Sequence, residues 1–229
     1  MALSLNNLNK VLRALSLIVA LAPASGLPVS GASSGRKERP RRVWLINGLN
    51  PDVLRLALKA AESARNQGIS EAKVLGIIDF SLPSTTRRFW VLDLEQRVVL
   101  HHELVAHGKG SGKKFATSFS NKSNSLKSSL GLFLTESTYV GGNGYSLRLR
   151  GLESGINDKA KKRSIVIHGA PYVNQTKIDE LGYVGRSWGC PAVREGISKR
   201  LINTLKGGNL VFAYYPDNKW LTTSRFLNH

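Results

Sequence analysis

From residue 73 onward the chain is built largely from short apolar runs of period two, and no other feature limits the fold as much. The runs are "KVLGIIDF" (73–80), "RRFWVLDL" (87–94), "RVVLHHELVAHG" (97–108), "LGLFLTES" (130–137), "GYSLRLRG" (144–151), "SIVIHG" (164–169) and "NLVFAYYP" (209–216). Each reads as a β-strand, because alternate side chains of a strand face opposite sides of its sheet. The dipeptide "EQ" at 95–96 suits a tight connection between two of them, and Gly- and Ser-rich turns separate the others. So many short strands predict a mainly β barrel or sandwich. Helices are few and peripheral. Residues 49–72 form a helical segment in which Asn50 can cap, Pro51 suits the first turn and Gly68 stops it. Its apolar residues, from Val53 to Ala64, share a broad face. A short helix over 197–205 places Ile197, Leu201, Ile202 and Leu205 on one side.

The charge is unusual. There are 33 Lys and Arg against 15 Asp and Glu, a net +18. Such an excess attracts polyanions, whether nucleic acid, acidic lipid or anionic cell-envelope polymer. The N-terminus bears on that choice. Lys10 and Arg13 precede the apolar run 14–21, and Ala22-Pro23-Ala24 resembles a cleavage site. This is the outline of a secretory signal peptide over 1–24, and the run is far shorter than the roughly 20 residues that span a bilayer. Cleavage after Ala24 removes two basic residues and no acidic one, leaving +16. Residues 25–48, with "GASSGRKERPRR" at their centre, read as a basic flexible linker, and 223–229 as a C-terminal tail. The main folded body is expected over 73–222, exported to the periplasm or cell envelope as a monomer.

An exported chain with one cysteine cannot use it for an internal disulfide. Cys190 lies in "GRSWGCPAV", a glycine-punctuated turn with Arg186 and Arg194 nearby, unlike the apolar run of a packing cysteine. His168 ends the apolar strand "SIVIHG", 22 residues earlier, where a returning strand could set it beside the thiol. A thiolate is the nucleophile, and an imidazole next to it lowers the thiol pKa and accepts its proton. The amides of Gly189 and Cys190 could converge on one point and stabilise an oxyanion. No Asp or Asn stands out to orient His168, which leaves a backbone carbonyl such as that of Gly169. A small buried hydrophobe is the plain alternative for Cys190.

The string "HGAPYV…GRSWGCPAV", with "VAHGKGSG", "FSNKSNSLKSSLGLF" and "YVGGNGYSLRLRGLESGINDKAKKRS" before it, resembles the murein L,D-transpeptidase catalytic-domain family (YkuD-like), in its Ser-X-Gly-Cys-Pro-Ala branch. The likeness covers roughly residues 73–222. It implies an L,D-transpeptidase-like β barrel or sandwich. Cys190 then matches the acylated nucleophile and His168 its base. Gly169 matches the residue whose carbonyl orients the ring, Gly189 and Cys190 the oxyanion-hole amides, and Ser187 the serine that opens the motif. The implied chemistry is attack on a peptidoglycan stem at a diaminopimelate carbonyl, with release of D-alanine. An amine of a neighbouring stem then resolves the acyl-enzyme as a 3→3 cross-link, or water does so in a carboxypeptidase. No cofactor is implied, and the thiol would be a target for carbapenem β-lactams. Trp188 stands where the better-known branch has histidine, and Ala192 where it has arginine. Substrate-lining candidates are Trp188, Arg186, Arg194, His107, Ser111 and Tyr172, with Arg194 as a carboxylate clamp. "KAKKRS" (159–164) reads as a solvated basic turn.

Other readings are weaker. His101 and His102 are neighbours on one strand and face opposite ways, so they do not make a metal site together. No reader motif or aromatic-interleaved basic stripe supports nucleic-acid binding. A non-catalytic module held to anionic envelope surfaces by charge, with an inert cysteine, remains the alternative from another class.

Overall fold

The structure is a computed structural model and describes residues 44–228; the expected signal peptide and residues 25–43 of the expected linker lie outside them. The first helix, α1 (Pro51–Asn66), begins where the sequence punctuates it. The Asn50 side chain accepts from the Asp52 N–H at 2.8 Å, a cap of the kind that contributes about 1 kcal/mol. Its buried face is Val53, Leu54, Ala57, Ala60, Ala61 and Ala64. That face belongs to the same hydrophobic core as the strands.

Nine strands follow in one mixed sheet: β1 (Val74–Asp79), β2 (Phe89–Asp93), β3 (Val98–Glu103), β4 (Val105–Ala106), β5 (Gly131–Gly141), β6 (Gly144–Gly151), β7 (Val166–Ala170), β8 (Ala192–Arg194) and β9 (Leu210–Tyr214). Their order is β3-β2-β1-β9-β5-β6-β7-β8-β4. The two outermost strands, β3 and β4, are joined through Leu104 alone. One residue cannot bridge the width of a flat sheet, so the two edges come together and the sheet is a nearly closed barrel. The mainly β expectation is met. The run 97–108 is not one strand; it breaks at Leu104 into β3 and β4, which pair at opposite ends of the order. β5 and β6 form the long hairpin, with a bulge between Thr135 and Thr138.

Period two distributes side chains between two cores. Ile167 and Val193 enter the main interior, while Ala170 and Ala192, on the opposite faces of the same two strands, join a smaller cluster with Leu104, Ala106, Val173 and Val184. The smaller cluster packs beneath the segment that follows β7, including α2 (Gln175–Leu181). α3 (Glu195–Leu205) lies over β7, and α4 (Asn218–Thr223) plugs Trp220 into the core. The approach of α3 explains Gly169, because a Cβ there would stand 2.9 Å from Ser198 Cβ and 2.7 Å from its hydroxyl.

Three elements are absent from the pattern reading for clear reasons. α2 buries no residue, so it has no apolar stripe, and α4 buries only Trp220. β8 is three residues long, too short to show a period.

Candidate active site

β7 and β8 run parallel, with His168 paired to Ala192 and Gly169 to Val193. Cys190 lies in the turn two residues before Ala192, with its thiol by the Ser164 carbonyl and the N–H of Val166, the first residue of β7. His168 is 4% exposed. Its Nδ1 contacts the Gly169 carbonyl oxygen at 2.8 Å. A carbonyl only accepts, so Nδ1 carries the proton and Nε2 is left with its lone pair. Burial pulls the imidazole below its usual pKa, with the Gly169 carbonyl opposing, so the ring is neutral at pH 7.

Cys190 is partly exposed and unpaired. Its Sγ–H points to the Ser164 carbonyl at 3.6 Å, and no hydrogen bond joins it to His168 among the described residues. Burial pushes the thiol above its usual pKa, while the Val166 N–H and the Arg163 guanidinium draw it down by lesser amounts. This corrects the expectation of a thiol acidified by the imidazole. Both groups are neutral at pH 7.

The turn around the thiol is fixed by backbone and hydroxyl. Ser187 Oγ–H donates to the Cys190 carbonyl at 2.6 Å, and the Gly189 N–H donates to Ser187 Oγ at 3.0 Å. Gly189 takes φ +127°, and a Cβ on it would come within 2.8 Å of the Lys127 carbonyl, so no other residue fits. The Gly189 amide is therefore not free to face an oxyanion. Among the described residues neither the Trp188 N–H nor the Cys190 N–H carries a hydrogen bond, so both remain free donors of the turn.

Several expected lining residues take other parts. His107 and Ser111 are buried, at 0% and 1% exposure, and do not line a groove. Arg88 donates to His107 Nδ1 at 2.7 Å, so Nε2 carries the proton, directed at the Gly112 carbonyl at 3.4 Å. Burial, then the charge of Arg88, pushes this histidine down to about 4. Arg194 is not a free clamp, since it makes a bidentate pair with the buried Glu103 at 2.7–3.0 Å. Arg186 lies over Tyr183 and donates to the Gly112 carbonyl at 3.1 Å, pinning one loop to another. Tyr172 is near Cys190. Its phenol is pushed up to about 12 by burial and then by the charge of Cys190. Trp188 is 75% exposed, with the Lys109 ammonium 5.6 Å from its ring centre. His101 and His102 are occupied separately, one by Thr204 and the other stacked on Trp90.

The residue that pattern reading missed is Arg163. It lies within the stretch read as a solvated basic turn, yet its guanidinium is half-buried and bonded to the carbonyls of Ser120 and Lys127 and the hydroxyls of Ser125 and Ser129. It ties the 120–129 segment to the cysteine turn, 3.3 Å from where a Gly189 Cβ would sit. Only long-range contacts give it this place, so no local signal could have marked it.

Solved structures of similar shape include an L,D-transpeptidase from Mycobacterium smegmatis, at 16% identity and TM-score 0.38, covering 63% of this chain and 59% of that one. L,D-transpeptidase 1 of Mycobacterium tuberculosis is 15% identical, with TM-score 0.35 and 62% of each chain covered. An L,D-transpeptidase solved in complex with imipenem is 16% identical, with TM-score 0.38, covering 62% of this chain and 59% of that one. The chain spans about three fifths of the length of these neighbours. No curated protein matches it. The family assignment rests instead on the domain match: the model of the L,D-transpeptidase catalytic domain matches residues 45–214, from just before α1 to the end of β9. The chain belongs to the L,D-transpeptidase catalytic-domain family.

Proposed function

We propose that this protein is an exported acyltransferase that uses Cys190 and His168 to cross-link peptidoglycan stems. The observation that carries the reading is the state of His168. One ring nitrogen is tied to the Gly169 carbonyl, the other keeps its lone pair, and the chain's lone cysteine lies at the start of the paired strand.

The thiol proton passes to His168 Nε2, and the sulfur attacks the diaminopimelate carbonyl carbon of the stem. The Cys190 N–H faces the developing oxyanion. The carbon–nitrogen bond to D-alanine breaks, and its amine leaves with the proton held by His168. An amine of a second stem then attacks the thioester, gives up a proton to His168, and releases the thiol. The match to the catalytic domain supports this reading. A carbapenem would acylate the same sulfur. The net charge of +18 suits an anionic envelope surface, and the periplasm or cell envelope is the proposed location.

Purified muropeptides, incubated with the wild type and with Cys190→Ala, test it. The wild type should release D-alanine and the variant none. In parallel, imipenem should add its mass to the wild type alone. Equal behaviour of the two proteins would overturn the reading. An inert thiol would then leave the envelope-binding alternative.

A further inference from the structure

Among the described residues, four non-glycine residues hold a left-handed φ, and three of them lie together. Asn124 (58°), Leu126 (56°) and Ser164 (54°) line one cleft of about 290 Å³, with Lys162, Arg163 and Trp188. Left-handed backbone is uncommon outside glycine, rarer still for a bulky residue such as leucine, and collects at ligand clamps and active sites. The cleft has a second distinguishing feature, its charge. Two cations line it and no carboxylate does. The four Nη hydrogens of Arg163 are spent on the 120–129 segment, so its charge is fixed in place. Lys162 makes no ion pair among the described residues and is free to reach a ligand. The cleft also flanks the nucleophile: Ser164 lends its carbonyl to the Cys190 thiol, and Trp188 belongs to the same turn.

We propose that this cleft is an anion subsite that seats a free carboxylate of the acyl donor beside Cys190, with Lys162 as its ion-pair partner and Arg163 as a fixed charge behind it. The identity of the donor rests on the transpeptidase reading; the subsite does not, and can be tested without it. Near the scissile bond a peptide stem offers a carboxylate at its D-alanine terminus and another on the diaminopimelate side chain.

The test uses two small alkylating reagents of the same reactivity class, anionic iodoacetate and neutral iodoacetamide. Both are applied to Cys190 at one pH, so that the thiolate fraction cancels in the ratio of rates. The ratio should exceed that of a neutral model thiol. It should fall severalfold in Lys162→Glu, and less in Lys162→Gln. The ratio should hold in Lys59→Glu, which makes the same change of net charge on the exposed face of α1. A wild-type ratio equal to the model thiol would overturn the proposal, as would equal falls in the Lys162 and Lys59 variants. With muropeptide donors, Lys162→Gln should raise KM severalfold and leave kcat near wild type. Amidating the recognised carboxylate, terminal or side-chain, should erase that difference, and the other amide should not. An unchanged KM for every donor would overturn the subsite while leaving the transpeptidase reading intact. A charge-selective thiol in a protein inert to muropeptides would do the reverse.

Discussion

His107 and His168 are each followed by glycine and are each buried, at 0% and 4% exposure, His107 just past the end of β4 and His168 in the middle of β7 rather than at the strand end expected from the sequence. In both, one ring nitrogen faces a backbone carbonyl. They differ at the second nitrogen. Arg88 donates to His107 Nδ1, so that ring has no lone pair to offer and its neighbour is already a cation. His168 Nε2 has no such partner among the described residues, and β8, which pairs with its strand, follows the cysteine turn. A buried histidine is therefore a base or a strut according to what faces its last free nitrogen, and the local sequence His-Gly says nothing about which.

The widest gap should appear in acylation. His168→Ala is expected to slow imipenem acylation of folded protein on the order of 10²-fold or more, the usual cost of a lost general base. His107→Ala should leave the rate per folded molecule within a few-fold of wild type. Single-turnover mass spectrometry beside a thermal melt reads both, and equal losses would break the comparison.

Stability against pH should sharpen it next. Unfolded His107 protonates near 6.5 and the folded residue only near 4, so below pH 6.5 the unfolded chain takes up the proton first. The resulting loss develops as pH falls from about 6.5 to 4 and reaches about 3 kcal/mol; above pH 6.5 it is absent. Buried Asp79 and Glu153, whose carboxyls are held above their usual range, act in the opposite sense. Urea unfolding of wild type and His107→Ala at matched pH isolates the histidine. At pH 7 the variant should be less stable by about 1–3 kcal/mol, since Arg88 loses an acceptor. Its curve should then flatten below pH 6.5, and a parallel curve would show that His107 does not titrate in this way.

The smallest effect should lie at the second arginine. Arg88 and Arg163 are both bonded out, but Arg163 stands next to a group that ionises. Arg163→Gln should move the pH midpoint of iodoacetamide alkylation upward. Arg163→Lys should restore part of it, and Arg88→Lys should leave it where it is. A midpoint unmoved by Arg163→Gln would reduce that residue to a loop tie.

The strands, α1 and α3, and the lone thiol with a histidine one strand away were legible in the chain, because period, capping residues and residue type are local properties. Arg163, inside a run of basic residues, was read as solvated because nothing nearby in sequence contradicts that. Gly189 invited the role of oxyanion donor, and only the folded turn shows its N–H spent on Ser187. Arg194 invited a carboxylate ligand and found one in Glu103, 91 residues away.

The sequence by itself determined a mainly β domain with a cysteine turn after a His-Gly strand, since alternation and turn chemistry act over a few residues. The tertiary structure decided which histidine keeps a lone pair, which arginine's charge acts on the thiol, and that the thiol rests neutral. Those outcomes depend on desolvation and on hydrogen bonds between segments tens of residues apart, and such terms exist only once the barrel has closed.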